Sequence, residues 1–493
     1  MSSDIKVPES LLYEVWQKQS YKSSLKTETG DEISILDSGS KNDDFAGPDF
    51  KNARIRIGNL TYVGDIEIDS SYADWKNHGH NIDNKYNSVV LHATFVNKNH
   101  QPHVYTRNGR KVPSICLAPF IDDSLLENLK QSISGDKEEV VTNMKCSSVS
   151  VSISSEIKEK FLSQLGVDRF HKKCNRIFER LKELQFLNEL NIKEPVIGYE
   201  LSSRFHEKKF QHSDFSNKLL WQQLFYELLF EALGYSKNKV QMTELAQIAN
   251  VNFLKKIESD GILIDKYEAL LLYISGLANS SDKVNSPDSK NYIERILLNW
   301  NAVKPFYDGR YMEESNWHFF RLRPQNFPTI RMAAGARLLK ELLHGNMINI
   351  IAKKITEIHN LTVLINSLRS LFVVRSEGFW KNHYTLDQAA SSEIKYFVGA
   401  TRADEIVINV VLPFFAVYFE VFGSPNITKK ILKIYSIYEQ RSENQIVVDV
   451  GKSLNMNDSV RRSVLAQGMI DLFRNYCSKN KCLECEIGKI IFN

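Results

Sequence analysis

The sequence has few of the features that mark secreted, membrane-spanning or disordered proteins. It contains 6 cysteines in 493 residues, which are too few and too unevenly spaced for a disulfide framework. Its first residues, MSSDIKVPES, lack the basic and then apolar order of a signal peptide. The longest apolar stretch, 406–419, is interrupted by Asn409 and Pro413. We therefore expect a soluble, cytoplasmic protein without a membrane partner.

The chain also lacks an excess of charge of either sign. Its 63 basic and 59 acidic residues leave a formal net charge of +4, so no global positive field indicates nucleic acid, although local basic patches remain open. Hydrophobic residues make up 43% of the chain, as in ordinary globular proteins. A chain of this length can form about two to four domains with at least one complete hydrophobic core.

The first part of the chain alternates between helix and strand patterns. PESLLYEVWQKQ predicts a first helix, because its apolar residues recur on one face, and EISILDSG alternates as a strand does. ARIRIG and TYVGDIEID are joined by a Gly-Asn turn and predict a β-hairpin. SSYADWKNHGH then predicts a short helix before the apolar strand YNSVVLHATFV. This order predicts a small mixed α/β domain over residues 1–135.

The rest of the chain has the pattern of long amphipathic helices, as in SSEIKEKFLSQLGVDRFHKKCNRIFERLKELQ. Polar stretches at 132–148 and 276–291 predict boundaries or connections. We therefore predict an α+β protein, in which the small mixed sheet domain precedes a large, mostly helical region. The helical region is predicted to divide into residues 146–275 and 290–493.

The segment GPDFKNARIRIGNLTYVGDIEID carries four carboxylates, at Asp49, Asp65, Glu67 and Asp69. Because alternate residues of a strand face the same side, the last three project together, and a hairpin can bring Asp49 beside Glu67. Phosphodiester hydrolysis uses Mg²⁺ or Mn²⁺ held by such carboxylates. The alternative is a strand face that is exposed to solvent and binds nothing.

The order of helix, strand, Asp49, hairpin, Glu67, helix and strand resembles the core of the restriction-endonuclease-like PD-(D/E)xK phosphodiesterases. The resemblance implies that Asp49 and Glu67 bind the metal, that Glu14 of the first helix is an auxiliary ligand, and that DNA or RNA is cleaved. It also implies a restriction-endonuclease-like fold for the N-terminal domain.

The third position of that motif falls on Asp69, where the resembling enzymes carry a lysine that positions the attacking water. A nitrogen from Lys76, His78 or His80 could replace the lysine. If none does, the alternative is a nuclease-like core that has lost catalysis and acts as a binding or assembly module.

The segment DWKNHGHNID is dense in potential ligands, since it contains Asp74, His78, His80 and Asp83. The two histidines could bind Zn²⁺ or Mn²⁺ in a metal hydrolase that is not a nuclease, or donate to phosphate. Alternatively, the intervening glycine merely ends the helix and leaves both histidines exposed. His92, in the apolar strand, is expected in the core or at a sheet edge. Alternatively, it faces the same pocket as His78 and His80.

Longer stretches resemble a large bacterial family of uncharacterised proteins that is classed only as a domain of unknown function. The resembling stretches are GPDFKNARI, GDIEID, DWKNHGHNIDNKYNSVVLH, LLFEALGYSKNK, RLRPQNFPTIRMA, FWKNHY, QGMIDLFRNYC and CLEC. They extend from about residue 45 to residue 489. The resemblance implies no particular activity.

Three cysteines lie near the end of the chain, at Cys477, Cys482 and Cys485, in a C-x4-C-x2-C pattern. Thiolates at such spacing can hold a zinc ion or an iron–sulfur cluster. The candidates for a fourth ligand are Cys146 and, after it, Cys174 and Cys116. The alternative is a set of reduced cysteines that pack as small apolar side chains.

Arg321, Arg323 and Arg331 surround two prolines in FFRLRPQNFPTIRMAAGARLL. They could clamp the phosphates of a nucleic acid, helped by the N-terminus of the following helix. The alternative is that they tie the loop to neighbouring carboxylates and to the C-termini of helices.

Besides nucleic acid, a protein partner or a second copy of the chain is compatible with the sequence as a binding partner.

Overall fold

The chain divides into two compact units in the computed structural model. Unit 1 comprises Met1–Val140 and Ser315–Phe327, and unit 2 comprises Val141–Glu314 and Pro328–Asn493. The structure describes residues 9–19, 21–42, 47–121, 144, 146–147, 150–190, 205, 207–257, 261, 263–278, 284, 286–319, 322–440, 444–479 and 481–492. The segment 315–327 therefore belongs to the N-terminal unit although it is far from it in the sequence.

Within its described residues, unit 1 is built on an eight-stranded sheet with two helices. The helices are α1 (Glu9–Lys18) and α2 (Asp74–Asn77). The strands are β1 (Leu25–Lys26), β2 (Glu32–Asp37), β3 (Ser40–Lys41), β4 (Phe50–Ile57), β5 (Leu60–Ser71), β6 (Val89–Val96), β7 (His103–Tyr105) and β8 (Lys111–Cys116). Their order is β1-β2-β4-β5-β6-β8-β7, and β3 pairs with β4.

The predicted hairpin is formed by β4 and β5, which pair antiparallel with Phe50 opposite Ile66. Gly58, which occupies the turn, has φ +56°, a left-handed conformation that suits glycine in a two-residue hairpin turn. β6 then pairs parallel to β5, and β8 pairs parallel to β6. The sheet is therefore mixed, with its parallel part at β5, β6 and β8.

Both faces of the central strands are covered. On one face, Ile66 and Ile68 of β5 belong to the main core, which includes Leu12 and Trp16 of α1. On the other face, a smaller aromatic cluster contains Trp75, Tyr86, Val89, Val104 and Val112. Because this second cluster covers the face that carries the acidic residues of β5, polar side chains there are withdrawn from water.

Unit 2 is mostly helical in the part of the chain that the structure describes. Its helices are α3 (Ser155–Glu189), α4 (Lys218–Leu233), α5 (Lys239–Ile248), α6 (Val251–Leu254), α7 (Leu263–Ile274), α8 (Pro287–Val303), α9 (Pro328–Leu343), α10 (Met347–Glu357), α11 (Leu361–Ser370), α12 (Ala400–Ile406), α13 (Leu412–Val421), α14 (Pro425–Ile437), α15 (Gln445–Ser453), α16 (Ser463–Asn475) and α17 (Glu486–Phe492). A π-helical segment, Val407–Val411, joins α12 to α13, and β9 (Val374–Arg375) pairs antiparallel with β10 (Tyr396–Val398).

The long helix α3 packs against α16 through two glycines. A Cβ atom on Gly166 would lie 2.0 Å from the carbonyl oxygen of Val464, and one on Gly468 would lie 2.0 Å from that of Leu162. Real carbon atoms do not approach oxygen so closely, so the two backbones can be this near only where there is no side chain. As α3 advances from Leu162 to Gly166, α16 runs back from Gly468 to Val464, and the helices are antiparallel.

The predicted fold class is confirmed, because a mixed N-terminal sheet precedes a large, mostly helical region. The division of the helical region at 146–275 and 290–493 stays a prediction, and most of the predicted boundary at 132–148 lies outside the described residues. In the described part of the chain, no helix combines the length and the apolarity that crossing a bilayer requires.

We predict that Gly166→Ala lowers the free energy of unfolding of unit 2 by about 1–3 kcal/mol, because the added methyl group must push two helix backbones apart. The change is measured as a lower midpoint of thermal or denaturant unfolding. The matched control is Gly261→Ala, since nothing lies within 4 Å of the Cβ position there. Equal midpoints for the two variants would contradict the close packing of α3 and α16.

Candidate metal centre

The parallel strands of unit 1 align an acid and a histidine across the sheet. Asp69 of β5 and His92 of β6 are both fully buried. The His92 Nε2 atom lies 3.1 Å from Asp69 Oδ2, and His92 Nδ1 lies 3.2 Å from the Ser114 hydroxyl oxygen on β8. Three neighbouring strands therefore each contribute one polar group to a continuous row inside the unit.

A turn after α2 brings two more histidines to the same carboxylate. Gly79 has φ +81°, a left-handed conformation that reverses the chain between its neighbours. As a result, His78 Nδ1 lies 3.1 Å from Asp69 Oδ1, and His80 Nδ1 lies 3.5 Å from Asp69 Oδ2. The glycine does end the helix, but His80 is buried, His78 is only partly exposed, and each ring has a nitrogen close to Asp69.

Glu67 lies in the same enclosed space. Its side chain is fully buried, and its Oε1 atom lies 3.3 Å from His80 Nε2. His80 therefore lies between two carboxylates, with one ring nitrogen towards each. A ring nitrogen of His80 therefore lies close to the predicted ligand Glu67.

Asp49 is held next to Glu67 by the hairpin. The backbone N–H of Asp49 donates to Glu67 Oε2 at 3.2 Å, and the backbone N–H of Ile68 donates to Asp49 Oδ2 at 3.0 Å. The Tyr13 hydroxyl of α1 donates to Asp49 Oδ1 at 2.6 Å. The side chain of Glu14, the predicted auxiliary ligand on the same helix, lies outside the described residues.

Aromatic rings fix the orientation of the imidazoles. The His80 ring stacks on Tyr86 with a centroid distance of 4.3 Å and an interplanar angle of 3°. Trp75 lies 5.1 Å from the centroids of both His80 and His92, and its Nε1–H donates to the Tyr105 carbonyl oxygen. Such contacts restrict ring rotation and exclude water from the site.

The electrostatics of the site favour an ionised Asp69. Burial by itself would raise the pKa of Asp69, but the charge of His80 and the hydrogen bonds with His78 and His92 outweigh it and hold that pKa well below its usual range. The pKa of Tyr86 is raised well above its usual value by burial and by the nearby carboxylates, Glu67 first among them. Asp69 is therefore negative at neutral pH, and Tyr86 keeps its proton.

Asp69, His78 and His80 could hold a metal ion together. One ligand atom from each of them lies within 4.8 Å of those of the other two. Two imidazole nitrogens and one carboxylate oxygen suit Zn²⁺, Mn²⁺ or Fe²⁺, whereas Mg²⁺ prefers oxygen ligands only. A buried anion also has to be compensated by positive charge, and a divalent cation does so without requiring that the imidazoles be protonated.

The remaining acids of this region and Lys76 have other positions. Asp74 accepts from the backbone N–H of Ser71, and Asp83 accepts from that of Lys85. Asp65 accepts from the backbone N–H of Asn52 at the open end of the hairpin. Lys76 is exposed on α2. These side chains therefore stabilise turns or face solvent, and are not among the ligand atoms that converge on Asp69.

The structure describes two of the three predicted arginines. Arg323 is exposed in unit 1, and Arg321 lies outside the described residues. Arg331 belongs to unit 2, where it is buried and donates to the Phe397 carbonyl oxygen and the Tyr235 hydroxyl. Burial lowers the pKa of Arg331 to about 10. Arg331 lies within α9, and its partners are a strand carbonyl and a tyrosine hydroxyl.

The sequence predicts no role for Tyr13 or Tyr86, and it predicts His92 in the core or at a sheet edge, with the same pocket as an alternative. A single histidine inside the apolar strand VVLHATFV was the available signal for His92, since such a strand has parallel neighbours on both sides. Nothing in the sequence singled out Tyr13 or Tyr86 from the other 18 tyrosines of the 20 in the chain. The Lys85 Nζ atom, 2.7 Å from His318 Nδ1, also joins residues that no local pattern connects.

We predict that the full-length protein binds Mn²⁺ at Asp69, His78 and His80, and that His78→Ala or Asp69→Asn weakens the binding at least about tenfold. Mn²⁺ is the suitable probe because it has little affinity for thiolates, so the cysteines do not contribute. Binding is measured by calorimetric titration.

The matched control is His100→Ala. His100 also lies 3.1 Å from a carboxylate, that of Glu28, but its side chain is 83% exposed. The control should bind Mn²⁺ as the wild type does. Unchanged Mn²⁺ affinity in His78→Ala and Asp69→Asn would exclude a metal at this site.

Comparison with protein families identifies the family of this chain. Residues 9–192 and 193–444 match the family model described as "Protein of unknown function (DUF2851)". Comparisons with curated proteins and with solved structures found no match. The matched ranges include all residues of the candidate metal centre, and they confirm the resemblance to a family of uncharacterised proteins. The chain therefore belongs to the DUF2851 family of proteins of unknown function.

Proposed function

We propose that unit 1 is a metal-dependent phosphodiester hydrolase of the nuclease type, which acts on DNA or RNA. The observation that carries this proposal is the convergence of Asp69, His78 and His80 within ligand distance of one another, next to the buried acids Asp49 and Glu67. Clusters of carboxylates and imidazoles of this kind serve hydrolysis, because a bound cation neutralises phosphate and lowers the pKa of water.

The protein's own residues have separable roles in this proposal. Asp69, His78 and His80 hold the cation, and His92 keeps the carboxylate of Asp69 in position from the neighbouring strand. Glu67 accepts a proton from the attacking water, because its oxygen lies near the proposed ligand His80 and a base must be within hydrogen-bond reach of the water. Asp49 fixes Glu67 through its backbone N–H.

The order of elements supports a resemblance to the PD-(D/E)xK phosphodiesterases. α1 precedes the antiparallel strands β2, β4 and β5, and α2 leads to β6, which pairs parallel to β5. In this proposal Asp69 stands at the motif position where those enzymes carry a lysine, and it holds the cation together with His78 and His80. The imidazole ligands favour Mn²⁺ or Zn²⁺ over Mg²⁺, and Arg323, with Arg321 beside it in sequence, contacts phosphate.

A second function is favoured by the burial of the same site. Glu67, Asp69 and His80 are fully buried, and the side chain of His78 is 25% exposed. A metal held so deeply can stabilise a fold without reaching a substrate. In this alternative, unit 1 is a catalytically inactive module that binds nucleic acid, a protein partner or a second copy of the chain.

We predict that the full-length protein cleaves single- or double-stranded DNA or RNA with Mn²⁺, and that Glu67→Gln lowers the rate about a hundredfold or more, because the general base is removed. The amide keeps the size of the side chain and an oxygen that can accept from the backbone N–H of Asp49. Cleavage is measured on fluorescently labelled substrates of each kind.

The matched control is Asp65→Asn on the same strand, which makes the same chemical change at a residue whose carboxylate binds the hairpin backbone. Asp65→Asn should keep the rate of the wild type to within about twofold. Equal rates for wild type and Glu67→Gln would contradict the hydrolase. Binding without cleavage, together with bound metal, would support the inactive module instead.

A further inference from the structure

Four cysteines of unit 2 lie on segments that share one end of a helix pair, although Cys146 is far in the sequence from Cys477, Cys482 and Cys485. Cys146 precedes α3, and Cys477 follows α16. Because α3 and α16 are antiparallel, the start of α3 lies beside the end of α16. The rings of Phe161 and Tyr476, 6.2 Å apart, meet at this end. The segments before α3 and after α16 are therefore brought to the same place by the packing of the two helices.

The segment of Cys146 is anchored there by its own hydrogen bonds. The backbone N–H of Ser150 donates to the Cys146 carbonyl oxygen at 2.8 Å, and the Ser150 hydroxyl donates to the Ser453 carbonyl oxygen at 2.7 Å. The Lys158 Nζ atom on the first turns of α3 donates to the Leu454 carbonyl oxygen. These contacts fix the turn that carries Cys146 to the end of α15.

The last three cysteines lie on two tight turns. The backbone N–H groups of Lys479 and Lys481 both donate to the Tyr476 carbonyl oxygen, and that of Cys485 donates to the Cys482 carbonyl oxygen. A Cβ atom on Gly488 would lie 2.0 Å from the Cys482 carbonyl oxygen, so only glycine allows α17 to return so close to the C-x2-C turn. These two turns therefore hold Cys477, Cys482 and Cys485 in one short, folded segment at the end of α16.

The side chains of these cysteines interact with one another. Burial raises the pKa of Cys146, and the neighbouring thiols of Cys485 and Cys482 raise it further. Burial likewise raises the pKa of Cys477 to about 12, with added contributions from the other three thiols. Burial also raises the pKa of Cys485, and hydrogen bonds from the backbone N–H groups of Gly488 and Ile487 oppose that rise only in part. Such N–H donors stabilise the negative charge of a thiolate.

The two other cysteines show what an ordinary packed thiol looks like in this chain. Cys174 is buried within α3 and contacts the Pro413 carbonyl oxygen at 3.7 Å. Cys116 donates to the Phe95 carbonyl oxygen at 3.2 Å. Each has a backbone partner and no effect of another cysteine on its pKa. The four thiols at the helix end differ because they lie within electrostatic reach of one another.

We propose that Cys146, Cys477, Cys482 and Cys485 bind a thiolate-held metal centre, a zinc ion or an iron–sulfur cluster, which ties the start of α3 to the end of the chain. Binding of the cation would displace the protons of the four thiols, and its positive charge would offset the repulsion among the thiolates that this creates. The centre shares no residue with the histidine site of unit 1. It is therefore independent of the proposed hydrolase.

The spacing of the sulfur atoms separates the two forms of the centre. Among the described residues, no three cysteine sulfur atoms lie within 4.8 Å of one another, whereas a Zn–S distance of about 2.3 Å gives a tetrahedron with edges of about 3.8 Å. A zinc ion therefore requires the cysteine side chains to come closer together than they lie in this structure. An iron–sulfur cluster is larger than a single ion and bridges thiolates that lie farther apart.

The experiment is to purify the full chain without oxygen from cells supplied with zinc and iron, and to measure zinc, iron and acid-labile sulfide. We expect either about one equivalent of zinc or an iron–sulfur cluster with visible absorption, lost at least about fivefold in Cys482→Ser. Cys116→Ser is the matched control and should keep the metal. His78→Ala should keep this equivalent too, which distinguishes it from any metal in unit 1.

A second measurement keeps the test valid if Cys482→Ser does not fold. The metal is removed from the wild-type protein with a chelator, and Co²⁺ is titrated in without oxygen. Thiolate ligands give an intense sulfur-to-cobalt charge-transfer absorption, which carboxylate and imidazole ligands do not give. Purified protein without stoichiometric zinc or iron, together with a Co²⁺ titration that lacks this absorption, would overturn the proposal.

Discussion

The burial of the Asp69 carboxylate is the constraint on which the arrangement of unit 1 depends. A charge that is withdrawn from water has to be compensated by donors held in fixed positions. His92 reaches Asp69 from the neighbouring strand, which requires the parallel pairing of β5 and β6. His78 and His80 reach it from the other side, which requires Gly79 to turn the chain. The order of the strands and the turn at Gly79 therefore both position histidines next to the carboxylate of Asp69.

Strand geometry allowed part of this to be predicted from the sequence. The alternation in GDIEID places Glu67 and Asp69 on one face, because successive side chains of a strand point in opposite directions. The hairpin pattern also allowed Asp49 to approach Glu67. The pattern of β5 does not predict whether that face is exposed or buried, because the rings that pack there, Trp75 and Tyr86, come from other segments of the chain. The alternation of a strand predicts the face to which each side chain points, whereas the burial of that face depends on the residues that pack against it.

The same limit applies to groups that are distant in the sequence. The pattern C-x4-C-x2-C is visible in the sequence, whereas Cys146 ranks first as a fourth member only because it lies at the end of the polar stretch 132–148. The structure adds the reason that brings them together, namely the antiparallel contact of α3 and α16 at Gly166 and Gly468. A glycine in a helix is ordinarily a weak signal, and only the partner helix shows why these two are needed.

The chain enters unit 1 twice. Its second segment in this unit, Ser315–Phe327, contains His318, which contacts Lys85, and the chain then continues in unit 2. Such a path makes unit 1 a discontinuous domain, which cannot be separated from the rest by one cut in the gene. A fragment that ends at residue 140 would lack part of its own structure, and a fragment that begins at residue 141 would carry a segment of the other unit. A recombination event with a single breakpoint in the gene would therefore leave both units incomplete. We expect the two units to be inherited together.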